Sequence, residues 1–265
     1  SQFFPYEEKQ IDSRKVVISE INTPSELTMY EAERQSSFFT TGGLAAVHVE
    51  TRSKEGIWSG FKNKETYATS GPQILLWFDL ITTSETYPMG SKVDLSKNPV
   101  FEVKAVGSYK QKPGCPEFGL TKDESLRLEK ICGGECFNPS DERRNITRIE
   151  VIKITPQNFN DEPVDDLIQD VWKVFKCKPS QDGCKIRFSD RDFQKNGRDS
   201  VYYVRAIEEP SLRVNGDNLR CDYDENGNCI KVNICHGSYL TDKRDDSVTP
   251  SEERARSSPI NDNQI

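Results

Sequence analysis

"NKETYATSGPQILLWF", residues Asn63–Phe78, is the stretch on which the fold class turns. Asn63 suits the end of a helix, and Thr66–Thr69 reads as a short strand. Ser70-Gly71-Pro72 interrupts the chain. The apolar run from Ile74 to Phe78 reads as a buried strand. Structural grammar of this quality sits in a chain that has only two histidines, His48 and His236.

Upstream, "GGLAAVHVE" (Gly42–Glu50) reads as another buried strand. "SKEGIWSGFKNK" reads as a short helix capped by Ser53, with Ile57, Trp58 and Phe61 on one face. Gly56 and Gly60 each weaken that helix by roughly 1 kcal/mol relative to alanine, so tertiary packing must hold it. Earlier still, "KVVIS" (Lys15–Ser19) is a strand candidate. In "TPSELTMYEAERQ", Thr23, Pro24 and Glu26 form a helix start. Residues 1–14 are polar and read as loosely attached. Strand, helix and strand in this order suggest a closing unit of an α/β layer.

The character changes downstream. "VFEVKAV" (Val100–Val106), "RIEVIKI" (Arg148–Ile154), "VWKVFKC" (Val171–Cys177), "KIRF" (Lys185–Phe188) and "SVYYVRAI" (Ser200–Ile207) are strand-like. Several alternate apolar and polar residues between Gly, Pro, Asn and Asp turns, as half-buried antiparallel strands do. The expected fold is therefore α+β but mostly β. A short α/β segment over residues 1–82 precedes a disulfide-bearing, antiparallel β-sandwich-like domain over residues 83–265. The charged tail from Leu240 is expected to wrap the surface, with Ser257–Ile260 as a last short strand.

The net charge of −7 is spread along the chain, and no long basic run occurs. That argues against nucleic acid and anionic membrane surfaces as partners. Arg143–Arg144, beside Asp141 and Glu142, reads as a solvated turn. The longest apolar run, Ile74–Ile81, contains Asp79 and falls far short of the ~20 residues of a membrane span. The chain opens Ser-Gln, as a processed form or a fragment would.

All eight cysteines lie beyond residue 110: Cys115, Cys132, Cys136, Cys177, Cys184, Cys221, Cys229 and Cys235. An even count in a turn-rich region indicates disulfides and an oxidising compartment, so a secreted or periplasmic location is expected. "CKPSQDGC" places a Pro and an Asp-Gly turn between Cys177 and Cys184. Closing so short a loop is worth roughly 2–3 kcal/mol. Cys221 pairs with Cys229 or Cys235, and Cys115 with Cys132 or Cys136. Structural zinc at "CGGEC" is the rival reading, but no second pair of matching spacing accompanies it.

Longer motifs carry a resemblance. "GLAAVHVETRSKEGIWSGFKNKETYATSGPQI", "PMG" (Pro88–Gly90), "YYVRAIEEPS" (Tyr202–Ser211), "NGDNLRCDYDENGNCIKVNIC" (Asn215–Cys235) and "EERARSSPI" (Glu252–Ile260) occur in this order. Over roughly residues 40–260 the chain resembles the C-terminal half of the domain-of-unknown-function family numbered thirty-six-oh-four. That bacterial family is similar to the PHP (polymerase and histidinol phosphatase) metal-dependent hydrolases. His48 and Arg256 stand where the family pattern has tryptophan, and Ser247 where it has cysteine.

The resemblance implies that residues 1–82 complete a PHP-like barrel whose His-x-His metal ligands lie upstream. A His-rich cluster cannot be assembled from two histidines. The chain is accordingly expected to be the C-terminal portion of a hydrolase of phosphoester or other ester-like bonds, and to lack the metal centre itself. Divalent transition metals are expected only with the upstream portion, which is then its partner. The alternative is a non-catalytic extracellular binding or assembly module with another extracellular protein as partner.

The remaining site candidates are weak. His48 and Glu50 lie two apart in what reads as one strand, hence on one face, and could serve acid–base chemistry or metal binding. A satisfied core histidine is the simpler reading. Asp222, Asp224 and Asn226 open a calcium-loop pattern, but position twelve is Asn233 where Glu is needed. An Asn-Gly hairpin turn explains the same residues. "NIT" (Asn145–Thr147) is a glycosylation sequon. Asp190, Arg191 and Asp192 read as a solvated charged turn.

Overall fold

The computed structural model describes residues 42–112, 137–214, 220–225, 229–233 and 248–264. The expected strand at Lys15–Ser19 and the helix from Thr23 lie outside these residues. So do Cys115, Cys132, Cys136, Cys235 and His236.

The strand–helix–strand order forms, but the first strand is a short edge strand without a buried residue rather than the buried strand expected over Gly42–Glu50. Leu44–Val47 (β1) leads to the helix Lys54–Lys62 (α1), then to Thr66–Thr69 (β2) and Leu75–Ile81 (β3). Ser53 caps α1 by accepting a hydrogen bond from the Gly56 N–H at 3.0 Å. Gly60 is the buried residue of the helix. A β-carbon there would sit 2.5 Å from Val47 Cγ2 and 2.6 Å from the His48 carbonyl oxygen. The glycine that weakens α1 in isolation is what lets it lie on the end of β1.

Beyond β3 come Thr86–Pro88 (β4), Lys92–Leu95 (β5), Val100–Val106 (β6), Tyr109–Gln111 (β7), Pro139–Arg143 (β8) and Ile146–Ile154 (β9). Ile168–Lys176 (β10), Cys184–Ser189 (β11), the single turn Phe193–Asn196 (α2) and Ser200–Glu208 (β12) follow. The last strands are Ser211–Val214 (β13), Arg220–Tyr223 (β14), Cys229–Asn233 (β15), Val248–Ser251 (β16), Arg254–Ser257 (β17) and Ile260–Gln264 (β18).

Two sheets carry the structure. In the larger, β12 is central: β9 and then β10 flank one edge. The other edge of β12 is shared, its C-terminal half by β17 and its N-terminal half by β18. β17 passes the sheet on to β2 and β1, and β18 pairs in parallel with β5. The second sheet runs β11-β6-β3-β4 and is antiparallel throughout.

Alternation sets the core. Leu76, Phe78 and Leu80 of β3 and Phe101, Val103 and Ala105 of β6 are fully buried from the second sheet. Ile149 and Val151 of β9 and Tyr202, Val204 and Ala206 of β12 face them from the first, in one apolar cluster. Phe101 is the keystone, with ring centres of Tyr202 at 4.8 Å, Phe188 at 5.2 Å and Phe78 at 5.4 Å. The result is the mostly β, antiparallel, sandwich-like fold expected. Cys177 and Cys184 are bridged, joining the end of β10 to the start of β11, so the disulfide ties one sheet to the other.

Three expectations need correction. β1 and β2 pair antiparallel with each other and, through β17, join the large sheet; they do not form a separate α/β layer. The described part of the tail does not wrap the surface: Ala255 and Ile260 are fully buried, and Ser257–Ile260 is the link between two strands, β17 and β18; residues 240–247 lie outside the described residues. Both strands complete the open edge of β12, which a single-sequence reading cannot see. Asp190 is buried, for reasons given below.

By packing, the chain forms two units. Gly43–Lys112, Phe137–Leu212 and Pro250–Ile265 make up the one just described. The β14–β15 hairpin belongs to the other. The expected boundary at residues 82/83 falls in the turn between β3 and β4 of one sheet.

Candidate functional site

The sequence predicts His48 and Glu50 on one face of a strand. β1 ends at Val47, so the period-two argument does not place them on one face. Both nevertheless line an open cleft of about 480 Å³ with Glu65, Asn63 and Gly56, Ser59 and Gly60 of α1. His48 Nε2 donates to the Leu76 carbonyl at 2.8 Å, and its ring lies against Tyr67 and Trp77, 5.4 and 5.7 Å between centres. The hydrogen bond to Leu76 requires the proton on Nε2, so that nitrogen is not a metal ligand here. Glu65 accepts from Asn63 Nδ2 at 3.1 Å, and Glu50 is exposed. Asp79 of β3 also feels the His48 ring; burial and then Glu102 push its carboxyl above the usual range.

A polynuclear hydrolytic site needs several imidazole and carboxylate donors converging on shared ions. Among the described residues, no group of three or more His, Cys, Asp or Glu side chains is placed to hold a metal ion. With His48 already engaged, the described residues do not fit such a cluster, and no reaction step through a metal follows from them. Of the calcium candidates, Asp222 lies in β14 and Asp224 just beyond it, in a strand hairpin rather than between helices. Asn226 lies outside the described residues.

A second cleft, about 610 Å³, opens beside β10 and β11. Lys173, Arg187 and Arg191 surround Phe175, Phe188 and Val100 there. Lys173 Nζ donates to the Ser189 carbonyl at 2.7 Å and sits 3.9 Å from the Trp172 ring centre. Burial lowers its pKa. Three cations around an apolar floor suit an anionic ligand with an apolar body.

The most unusual group was missed at sequence level. Lys153, on the inner face of β9, is 4% exposed, and Asp190, just after β11, is 1% exposed. Lys153 Nζ meets Asp190 Oδ2 at 2.5 Å. The Tyr202 hydroxyl donates to the same oxygen at 2.6 Å, and the Asp192 N–H donates to Oδ1 at 3.0 Å. Burial alone would raise the Asp190 pKa, but these donors hold it below the usual carboxylate range. Asp262 of β18 is fully buried, and among the described residues neither of its carboxyl oxygens has a hydrogen-bond partner. Burial, then the charge of Asp190, pushes its pKa up to about 7. The turn reading of "SDRDF" failed because Asp190's partner lies on a strand 37 residues earlier.

The outer face of the large sheet carries an ion network. Arg148 grips Glu252 through two 2.7 Å hydrogen bonds and holds Glu150 at 2.8 Å, while Arg205 pairs with Asp170. The sequon Asn145 is already engaged, donating to Glu209 and accepting from the Ser180 N–H.

The described residues thus define a disulfide-bearing, mostly antiparallel sandwich with open clefts beside α1 and beside β10 and β11, and a buried acid–amine cluster. Residues 3–79 match the model of a family described as "Protein of unknown function (DUF3604)", the family to which the motifs pointed. The match takes in β1, α1, β2 and most of β3. No curated protein and no solved structure matched the chain.

Proposed function

We propose that this chain is the non-catalytic C-terminal portion of a secreted or periplasmic, PHP-related metal-dependent hydrolase of phosphoester or other ester-like bonds. The hydrolase class comes from the motif resemblance, and the disulfide supports an oxidising location. The observation that carries a docking role is the apolar face of α1. Ile57 is 41% exposed, Trp58 72% and Phe61 50%, all on one side of a nine-residue helix. A surface helix ordinarily turns such a face to protein. This helix lies within the family-matched stretch.

The test is turnover of a chromogenic phosphodiester with added Mn²⁺ or Zn²⁺. The chain alone should show no turnover above the metal blank, and the longer natural polypeptide carrying an upstream His-x-His should be active. Turnover by the chain alone, abolished by His48→Ala, would overturn the reading.

The β10/β11 cleft favours a second reading, an extracellular binding module for an anionic ligand. An aryl sulfate should then quench Trp172 fluorescence saturably, and Arg191→Ala should weaken that response. No saturable quenching at low salt would count against it. No helix among the described residues is long and apolar enough to cross a membrane.

A further inference from the structure

We propose that Lys153 and Asp190 condense into an intramolecular amide that covalently joins the two sheets, with Asp262 as the proton relay. The geometry carries the assignment. Lys153 belongs to the large sheet and Asp190 follows the edge strand of the other, so the bond would bridge the core as the Cys177–Cys184 disulfide bridges its rim. Nitrogen and carboxyl are already in contact at 2.5 Å and are shut off from water. An ammonium has three N–H donors, and among the described residues Asp190 is its one hydrogen-bond acceptor. The rings of Trp172 and Tyr202 flank it at 5.5 and 5.8 Å.

Asp262 supplies what a simple buried ion pair has no use for. It sits on the same inner face: β18 pairs Asp262 with Ser200 and Ile260 with Tyr202, and Tyr202 pairs with Lys153 across β9. Its carboxyl is buried and has no hydrogen-bond partner among the described residues, and it feels the Asp190 charge. Its raised pKa means that it carries a proton at neutral pH for a substantial fraction of the time.

The step balances without an added reagent. Proton transfer along the Lys153–Asp190 hydrogen bond converts ammonium and carboxylate into amine and carboxylic acid; the donors around Asp190 keep this neutral pair the minor form, and it is the form that reacts. The Nζ lone pair then bonds to Asp190 Cγ. Negative charge gathers on Oδ1, to which the Asp192 N–H already donates. Asp262 takes a proton from the nitrogen and delivers one to Oδ2. The Cγ–Oδ2 bond breaks, water leaves, and Asp262 ends as it began. The Tyr202 hydroxyl, bonded to Oδ2, orients that leaving oxygen. The products are one amide and one water, with no change of oxidation state.

The test is the intact mass of the full 265-residue chain, reduced and denatured, followed by peptide mapping. The expected mass is one water below that of the sequence. The map should contain a branched peptide joining the Lys153 and Asp190 segments, with no tryptic cleavage after Lys153. Lys153→Met and Asp190→Ala should restore the full mass. Asp262→Asn should fold, as judged by circular dichroism, and remain unbridged. A full-mass chain with its disulfide formed and both residues recovered on separate peptides would overturn the proposal. So would a water loss that maps elsewhere, such as to a succinimide at Asp182-Gly183. A branched peptide persisting in Asp262→Asn would overturn the relay. If the other variants fail to fold, the wild-type map alone decides.

Discussion

Asp262 is the residue whose behaviour is most exposed to measurement. Its pKa is about 7 in the folded chain, raised from the ordinary carboxylate value. An unfolded Asp262 ionises near pH 4, so between roughly pH 4 and 7 the unfolded state holds fewer protons than the folded one. The stability due to this group is complete below that window and is lost as pH climbs through it. At about 1.4 kcal/mol per unit, the loss is on the order of 3–4 kcal/mol. Asp190 and Tyr202 couple to it while the amide is unformed, and both remain in an Asp262→Asn variant, so the comparison is made between chains whose intact mass shows no water loss. Urea unfolding of that variant from pH 4 to 7 should show a flatter stability profile than wild type; equal slopes would contradict the burial of a raised carboxyl. The sequence held no sign of this. A lone Asp in "INDNQI" becomes remarkable only when strand pairing, set by residues far away, turns it inward.

At the scale of elements, α1 shows how local and tertiary effects divide. Its start was legible because capping is local chemistry: Ser53 bonds the Gly56 N–H. Its glycines read as weaknesses because their reason lies in another element. Gly60→Ala would drive a methyl into Val47 and the His48 carbonyl. The intrinsic helix gain of ~1 kcal/mol is then outweighed by overpacking of about 1–3 kcal/mol, giving net destabilisation in thermal melts. A stabilised Gly60→Ala would mean that α1 does not sit on β1 as described. Strands were legible for the same reason as the cap: β3, β6 and β9 carry their alternation within themselves. The roles of β17 and β18 were not legible, because Ala255 and Ile260 find their places only against β12.

For the whole molecule, two inner faces make one core, and covalent closure between sheets adds to it. The Cys177–Cys184 bridge spans a separation of seven residues. Replacing both cysteines by serine should cost roughly 2–3 kcal/mol of unfolding free energy, seen as a lower urea midpoint at unchanged slope. An unchanged midpoint would show that the loop between Pro179 and Gly183 needs no staple. That pairing was readable from the Asp-Gly turn, in which Gly183 takes φ +88°. The clefts were not, since each gathers residues from elements that only pairing brings together. On the function proposed above, this sandwich supports a hydrolase without housing its metal cluster. Metal analysis of the chain by plasma mass spectrometry, after equilibrium dialysis against Zn²⁺ and Mn²⁺, tests it most directly. Less than one tightly bound transition ion per chain is expected. Two or three per chain, lost together on His48→Ala, would contradict it.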